Sequence, residues 1–160
     1  MGSLESKTKI LVVEDETDIQ QVLCVFLKHS GFEVRSASNG QEAIQAITEF
    51  APHLVVLDIM MQPVSGWEVL HWLRLNGHTP PFPVLVMTAL TNLTHQVRGF
   101  EEGAIEYMTK PTQPTVLVKH INSILSLSAE QRMLLWHKRK DEKRKVLERL
   151  NAPELDEFVY

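Results

Sequence analysis

Cysteine is nearly missing from this chain. Cys24 is the only one in 160 residues, so no disulfide can close within it, and such sparing use of thiol points to a reducing compartment. No apolar stretch reaches the roughly 18 residues that span a bilayer. The first residues, Met1-Gly2-Ser3-Leu4-Glu5-Ser6-Lys7, lack the apolar segment of a secretory signal and read as a disordered lead-in. A cytoplasmic protein without a membrane segment is the expectation. The histidines at 29, 53, 71, 78, 95, 120 and 137 show no metal-ligand spacing. There is no internal repeat and no low-complexity tract.

What remains is ordinary globular material. Apolar residues make up 44% and charged residues 22%, enough for one well-buried domain plus an extension. The net charge of −4 conceals an asymmetry, because residues 137–145 hold six basic and two acidic side chains. A mildly acidic body with a basic C-terminal patch argues against broad binding of nucleic acid by the body.

Five short apolar runs, Ile10–Val13, Val34–Ala37, Leu54–Leu57, Val84–Met87 and Ile105–Met108, read as strands. The first, third and fourth are almost continuously apolar, as a parallel strand covered on both faces must be. Helical patterns alternate with them. Ile19, Val22, Leu23, Phe26 and Leu27 share one helical face, which Gly31 closes. Asn39 with Glu42 opens a second helix, a third runs over about 66–75, Leu93, Val97 and Phe100 mark a fourth that ends near Gly103, and Leu117, Val118, Ile121, Ile124 and Leu125 mark a fifth. Right-handed crossovers then give an α/β, flavodoxin-like, doubly wound (βα)5 sandwich with parallel strand order 2-1-3-4-5. It occupies residues 8–127, and 128–160 form a helical extension and tail.

Polar residues follow the carboxyl ends of these strands. Glu14-Asp15-Glu16 follow the first run and Asp58 the third, Thr88-Ala89 follow the fourth, Tyr107 lies near the end of the fifth, and Lys110-Pro111 come just beyond it. In an open α/β sheet those ends converge where ligands bind. Adjacent carboxylates need a cation between them, and Mg²⁺ suits hard oxygen donors. Asp58 is then a carboxylate nucleophile toward phosphorus, Lys110 a point charge for phosphoryl oxygens, and Thr88 a hydroxyl donor.

Taken together, Ile10-Leu-Val-Val-Glu-Asp-Glu16, Leu57-Asp-Ile-Met-Met61 with Gly66, Val86-Met-Thr-Ala89 and Gly103-Ala-Ile-Glu-Tyr-Met-Thr-Lys-Pro111 resemble a response-regulator receiver domain of two-component signalling. The resemblance covers about Lys9 to Leu127. It implies phosphotransfer to Asp58 from a sensor histidine kinase or phosphotransfer protein, with Mg²⁺ held by Glu14, Asp15, Asp58 and the backbone carbonyl of Met60. Lys110 and the backbone of Ala89 would bind the phosphoryl group. Thr88 and Tyr107 would be a switch pair, Tyr107 turning inward as Thr88 is drawn to the phosphoryl group, and the Lys110-Pro111 peptide is often cis in such domains. The face built from the fourth helix, fifth strand and fifth helix would then act on an unidentified output partner or pair two copies. Such a chain is not an enzyme with an external substrate; it catalyses only its own phosphorylation and dephosphorylation. The alternative is a pseudo-receiver that serves as a dimerisation scaffold without phosphotransfer.

Three positions depart from the pattern. Gln62 stands where relatives place proline, with Pro63 following, so the loop 61–65 is expected to differ in shape. Glu14 replaces the more frequent aspartate. Met60, a bulky thioether where side chains govern water access, is expected to slow hydrolysis of the phosphoryl group.

Beyond Leu127, Ser128 and Gln131 form a capping-box signature, a helix is expected over about 129–150, and Asn151 and Pro153 stop it. Asp141–Lys145 and Arg144–Glu148 are i, i+4 pairs. Trp136 and its apolar neighbours are expected to dock on the body or to pair two copies, the alternative being that the helix is a linker to a further output domain. Lys140 and Lys143 interrupt a continuous coiled-coil seam. Nucleic acid is not an expected partner, because no helix-turn-helix or stacking pattern accompanies the basic cluster.

Overall fold

Residues 6–79 and 82–151 are described by the structure, a computed structural model. The lead-in before residue 6, the stop at Pro153 and the acidic tail 154–160 lie outside the described residues.

Five strands, β1 (Lys9–Val13), β2 (Glu33–Ala37), β3 (Leu54–Leu57), β4 (Val84–Thr88) and β5 (Glu106–Thr109), alternate with α1 (Thr17–His29), α2 (Gly40–Phe50), α3 (Gly66–Leu75), α4 (Leu93–Glu101) and α5 (Pro114–Leu125). A sixth helix, α6 (Ala129–Asn151), follows. All strand pairs are parallel and the order is β2-β1-β3-β4-β5, the expected flavodoxin-like arrangement.

Alternation along each strand builds two cores, because successive side chains leave a strand on opposite sides. Leu11, Val13, Val55, Leu57, Val84 and Val86 face α2 and α3, meeting Ala43, Ala46, Val69 and Leu73. Ile10, Val12, Leu54, Val56, Leu85 and Met87 face α1 and α5, meeting Leu23, Leu27, Leu117 and Ile121. β5 begins one residue later than its apolar run indicates: Ile105 is buried, yet its amide is already bonded to the Val84 carbonyl as a lead-in to the ladder.

Local signals act as read, with one variation. Gly31 and Gly103 take positive φ just past α1 and α4, a conformation that costs glycine nothing. The Asn39 side chain accepts the Glu42 amide at 2.9 Å, but the Glu42 carboxylate returns to Ser38 N rather than to Asn39. The full capping box at Ser128 and Gln131 forms, and a second one forms at Ser65 and Glu68. Among the described residues no helix is long and apolar enough to cross a membrane.

α6 runs along α4 with its chain direction reversed. Trp136 Nε1 donates to the Phe100 carbonyl, and Leu135 and Trp136 pack against the α1–α5 core. The helix is therefore docked on the body. Of the two expected i, i+4 pairs, Arg144 instead reaches Glu101 at 3.1 Å, a partner supplied by α4, and no ion pair joins Asp141 to Lys145 among the described residues.

Candidate functional site

β1 and β3 are neighbours, with Val13 beside Leu57 in register. Each strand therefore delivers its next residue to the same edge, and the Asp58 amide donates to the Val13 carbonyl at 3.0 Å. Glu14 and Asp58 are both buried there, at 1% and 4% exposure, while Asp15 is exposed at the rim. One carboxylate oxygen from each of Glu14, Asp15 and Asp58 lies within 4.8 Å of the other two. Such a cluster of hard oxygen donors is one that could hold a metal ion, and its donor type fits Mg²⁺.

Lys110 enters from the loop after β5. Its Nζ donates to Glu14 Oε2 at 2.6 Å and to Asp58 Oδ2 at 2.9 Å. The other Asp58 oxygen accepts the Met60 amide at 3.0 Å. Burial raises the Glu14 pKa above the usual carboxylate range, although the Lys110 hydrogen bond opposes it. Burial works to lower the Lys110 pKa, but its hydrogen bonds to Glu14 and Asp58 outweigh that and hold it above the ordinary lysine value. The ammonium is thus locked in its charged form between two acids.

Thr88 ends β4 fully buried, and the Leu90 amide approaches its Oγ1 at 3.5 Å. Ala89 is exposed at the mouth of the site. Tyr107 points into the protein: its hydroxyl donates to the Leu90 carbonyl at 2.9 Å, and its ring lies against α4, where a Cβ on Gly99 would stand 2.8 Å from Cδ2. The bare backbone at Gly99 leaves room for the ring, and Leu90 supplies the acceptor. Burial, then the Asp58 charge, pushes the Tyr107 pKa up to about 12.

The loop after Asp58 is shaped by two features. Gly66 packs so closely that a Cβ would fall onto the Asp58 carbonyl oxygen. Gln62-Pro63 is a cis peptide, as is Lys110-Pro111. Met60 exposes 54% of its surface beside the pocket. Glu14, Asp15, Asp58 and Lys110 thus come together at the ends of β1, β3 and β5, while Thr88 and Tyr107 meet at Leu90. The Leu90 carbonyl and the Glu14–Lys110 bond were not read from sequence: a backbone acceptor carries no residue signal, and a contact across 96 positions carries no local one.

Residues 10–122 match the family described as response regulator receiver domain. The chain is 40% identical over 119 residues to a probable transcriptional regulator, ycf27, of Pyropia yezoensis, covering 74% of this chain and 48% of that one. It is 36% identical over 117 residues to the phosphate regulon transcriptional regulatory protein PhoB of Klebsiella pneumoniae, covering 73% and 51%. It thus spans about half the length of these curated relatives. Among solved structures it resembles a CheY-like receiver domain protein from Methanospirillum hungatei JF-1, with TM-score 0.70, 26% identity, and coverage of 88% and 98%. It also resembles the BeF3-activated DrrB receiver domain, with TM-score 0.68, 30% identity, and coverage of 76% and 100%.

Proposed function

The chain belongs to the response regulator receiver domain family, and we propose that residues 8–127 act as a phosphoreceiver whose acceptor is Asp58. The observation that carries this reading is the buried Asp58 carboxylate. One of its oxygens is fixed by the Met60 amide and the other faces the Lys110 ammonium, with Glu14 and Asp15 beside it.

The donor is a phosphohistidine on a sensor kinase or phosphotransfer protein in the cytoplasm. An Asp58 oxygen attacks phosphorus, the P–N bond to the donor imidazole breaks, and the imidazole leaves with that electron pair and takes up a proton. Glu14, Asp15, Asp58 and the Met60 carbonyl would hold Mg²⁺, which offsets phosphoryl charge during transfer. Lys110 turns from its two carboxylates to the incoming phosphoryl oxygens. Its ammonium is already in place and needs no protonation step. The Ala89 amide and the Thr88 hydroxyl supply further donors. No external substrate is consumed, so the chemistry is confined to making and hydrolysing the acyl phosphate.

Thr88 and Tyr107 form the switch, and both act on Leu90: its amide approaches the Thr88 hydroxyl and its carbonyl accepts from Tyr107. Phosphorylation shifts a population between two arrangements of the α4–β5–α5 face. The output is control of a partner protein or of a second copy. Arg139, Lys143 and Arg144 are engaged by Glu106, Gln96 and Glu101, which speaks against nucleic acid as the ligand of α6.

Incubation with acetyl phosphate and Mg²⁺, followed by a phosphate-affinity gel, tests the reading. Wild type is expected to shift and Asp58→Asn to remain unshifted. Equal labelling of the two removes Asp58 as acceptor, and no labelling of wild type by any donor leaves only a scaffold.

A further inference from the structure

The inner stripe of α6 is Arg132, Trp136, Arg139, Lys143 and Leu147, the positions at which a helix presents one side to a neighbour. Arg132 Nε donates to the Ile124 carbonyl at the end of α5 at 3.2 Å. Trp136 donates to the Phe100 carbonyl at the end of α4 at 2.6 Å. Both acceptors lie in the last turn of a helix and already take one backbone amide, Leu127 at Ile124 and Gly103 at Phe100, so each side chain uses the remaining lone pair. Arg139 donates to the Ile105 carbonyl at 2.6 Å and pairs with Glu106 at 2.8 Å, gripping β5 where it begins. Lys143 reaches Gln96, and Arg144 reaches Glu101, both on α4. One helix is therefore bonded to all three elements of the face that the switch is meant to change.

We propose that α6 is an autoinhibitory clasp: docked, it lies along α4 and ties α4 to the start of β5, and phosphorylation of Asp58 loosens it. This rests on the reading of Asp58 as phosphoacceptor. The coupling runs through adjacent residues. Tyr107 bonds the loop before α4 through Leu90 and lies against α4 at Gly99. Its own amide is held by Glu106 Oε1, while Oε2 of that carboxylate takes Arg139. Any movement of α4 relative to β5 must stretch either the Trp136 or the Arg139 bonds, because one rigid helix carries both.

The occupant is set by the chain's connectivity. Three residues, Ser126 to Ser128, separate α5 from α6. A tether that short holds its helix at an effective concentration in the millimolar range. A second copy at micromolar concentration cannot displace it while it stays docked. Linkage also makes the effect reciprocal: whatever phosphoryl does to docking, undocking does to phosphoryl affinity by the same factor.

Hydrogen exchange on the full chain, with and without beryllofluoride and Mg²⁺, reads the coupling, and fluorine NMR of the bound fluoride reports occupancy of Asp58. Amides of α6 are expected to exchange at least about fivefold faster in the loaded form. Conversely, Trp136→Ala and Arg139→Ala are each expected to tighten beryllofluoride binding by a similar factor. Leu150→Ala, at a position 72% exposed, should leave it unchanged. Arg139→Ala serves where Trp136→Ala fails to fold, since Arg139 belongs to neither core. A bound-fluoride signal with unchanged α6 exchange overturns the clasp and leaves the phosphoacceptor intact. Absence of any bound signal removes both.

Discussion

Lys110 Nζ sits 2.6 Å from Glu14 Oε2, and the same ammonium reaches Asp58, so one cation serves two buried acids. Removing it as Lys110→Ala leaves two carboxylates facing each other without a counter-charge. Removing one partner of a buried ion pair in this way costs about 3–5 kcal/mol. Urea unfolding is expected to show that loss in Mg²⁺-free buffer and a smaller one with Mg²⁺, since a bound cation stabilises the folded state. Equal midpoints for the variant in the two buffers would refute the cation site.

Gly66 starts α3 against the backbone of Asp58 and Ile59, where a side chain has no space. Gly66→Ala pushes on backbone rather than on a flexible side chain. Overpacking of this kind costs about 1–3 kcal/mol, and it displaces the Asp58 carboxylate as well. Thermal unfolding and acetyl phosphate labelling are both expected to suffer. Normal labelling in a destabilised variant would show that the loop moves without carrying Asp58 with it.

The strands most legible in sequence are those buried on both faces. β3 and β4 show no polar residue until Asp58 and Thr88, so their ends mark the site at once. β5 sits at the sheet edge and is half-buried, which explains why its apolar run starts one residue early. The long reach of Lys110 is not legible in sequence, whereas the meeting of Glu14 and Asp58 follows from strand order, β1 beside β3. The docking surface of α6 does not, because its inner stripe is mainly cationic: Arg132, Arg139 and Lys143 place donors on carbonyls and carboxylates rather than burying apolar area. Periodicity of apolar residues cannot register such a contact. The cis peptide at Gln62-Pro63 is likewise a consequence of the folded loop that a sequence motif does not announce.

Met60 holds the Asp58 carboxylate through its backbone amide and leaves its apolar side chain exposed. Water that hydrolyses an acyl phosphate must approach through that region. Met60→Asn offers a polar group that can orient it, and loss of phosphate is expected to quicken by about tenfold, less than the roughly 10²-fold minimum of a true proton-transfer group because an amide orients water without taking its proton. The decay of labelled protein after removal of the donor measures it, and identical half-lives would reject the role of the thioether.

Tyr107 keeps its proton to about pH 12 because burial and then the Asp58 charge disfavour the phenolate. An unfolded chain gives up that proton near pH 10. Between these values the folded state binds more protons, so stability falls as pH rises. The contribution is fully present below about pH 10 and is lost as pH rises through about 12. Spectroscopic titration of a Tyr160→Phe variant isolates Tyr107, the other tyrosine. A midpoint near 10 would show that the ring is not held inside.

Thr88 and Tyr107 meet on one residue, since the Leu90 amide approaches the Thr88 hydroxyl and the Leu90 carbonyl accepts from Tyr107. A phosphoryl group that recruits the Thr88 hydroxyl withdraws it from Leu90, so the loop, and with it Tyr107, must readjust. Thr88→Val keeps nearly the same shape and removes only the hydroxyl, while Thr88→Ala removes the methyl as well. Both variants retain Asp58 and Lys110 and are expected to be labelled by acetyl phosphate. Neither should pass the event on. NMR spectra of Tyr107 and Gly99 with beryllofluoride would then stay near their unloaded positions, whereas wild type shifts. Should the variants shift as wild type does, the hydroxyl is not the link and the signal travels from Asp58 by another route.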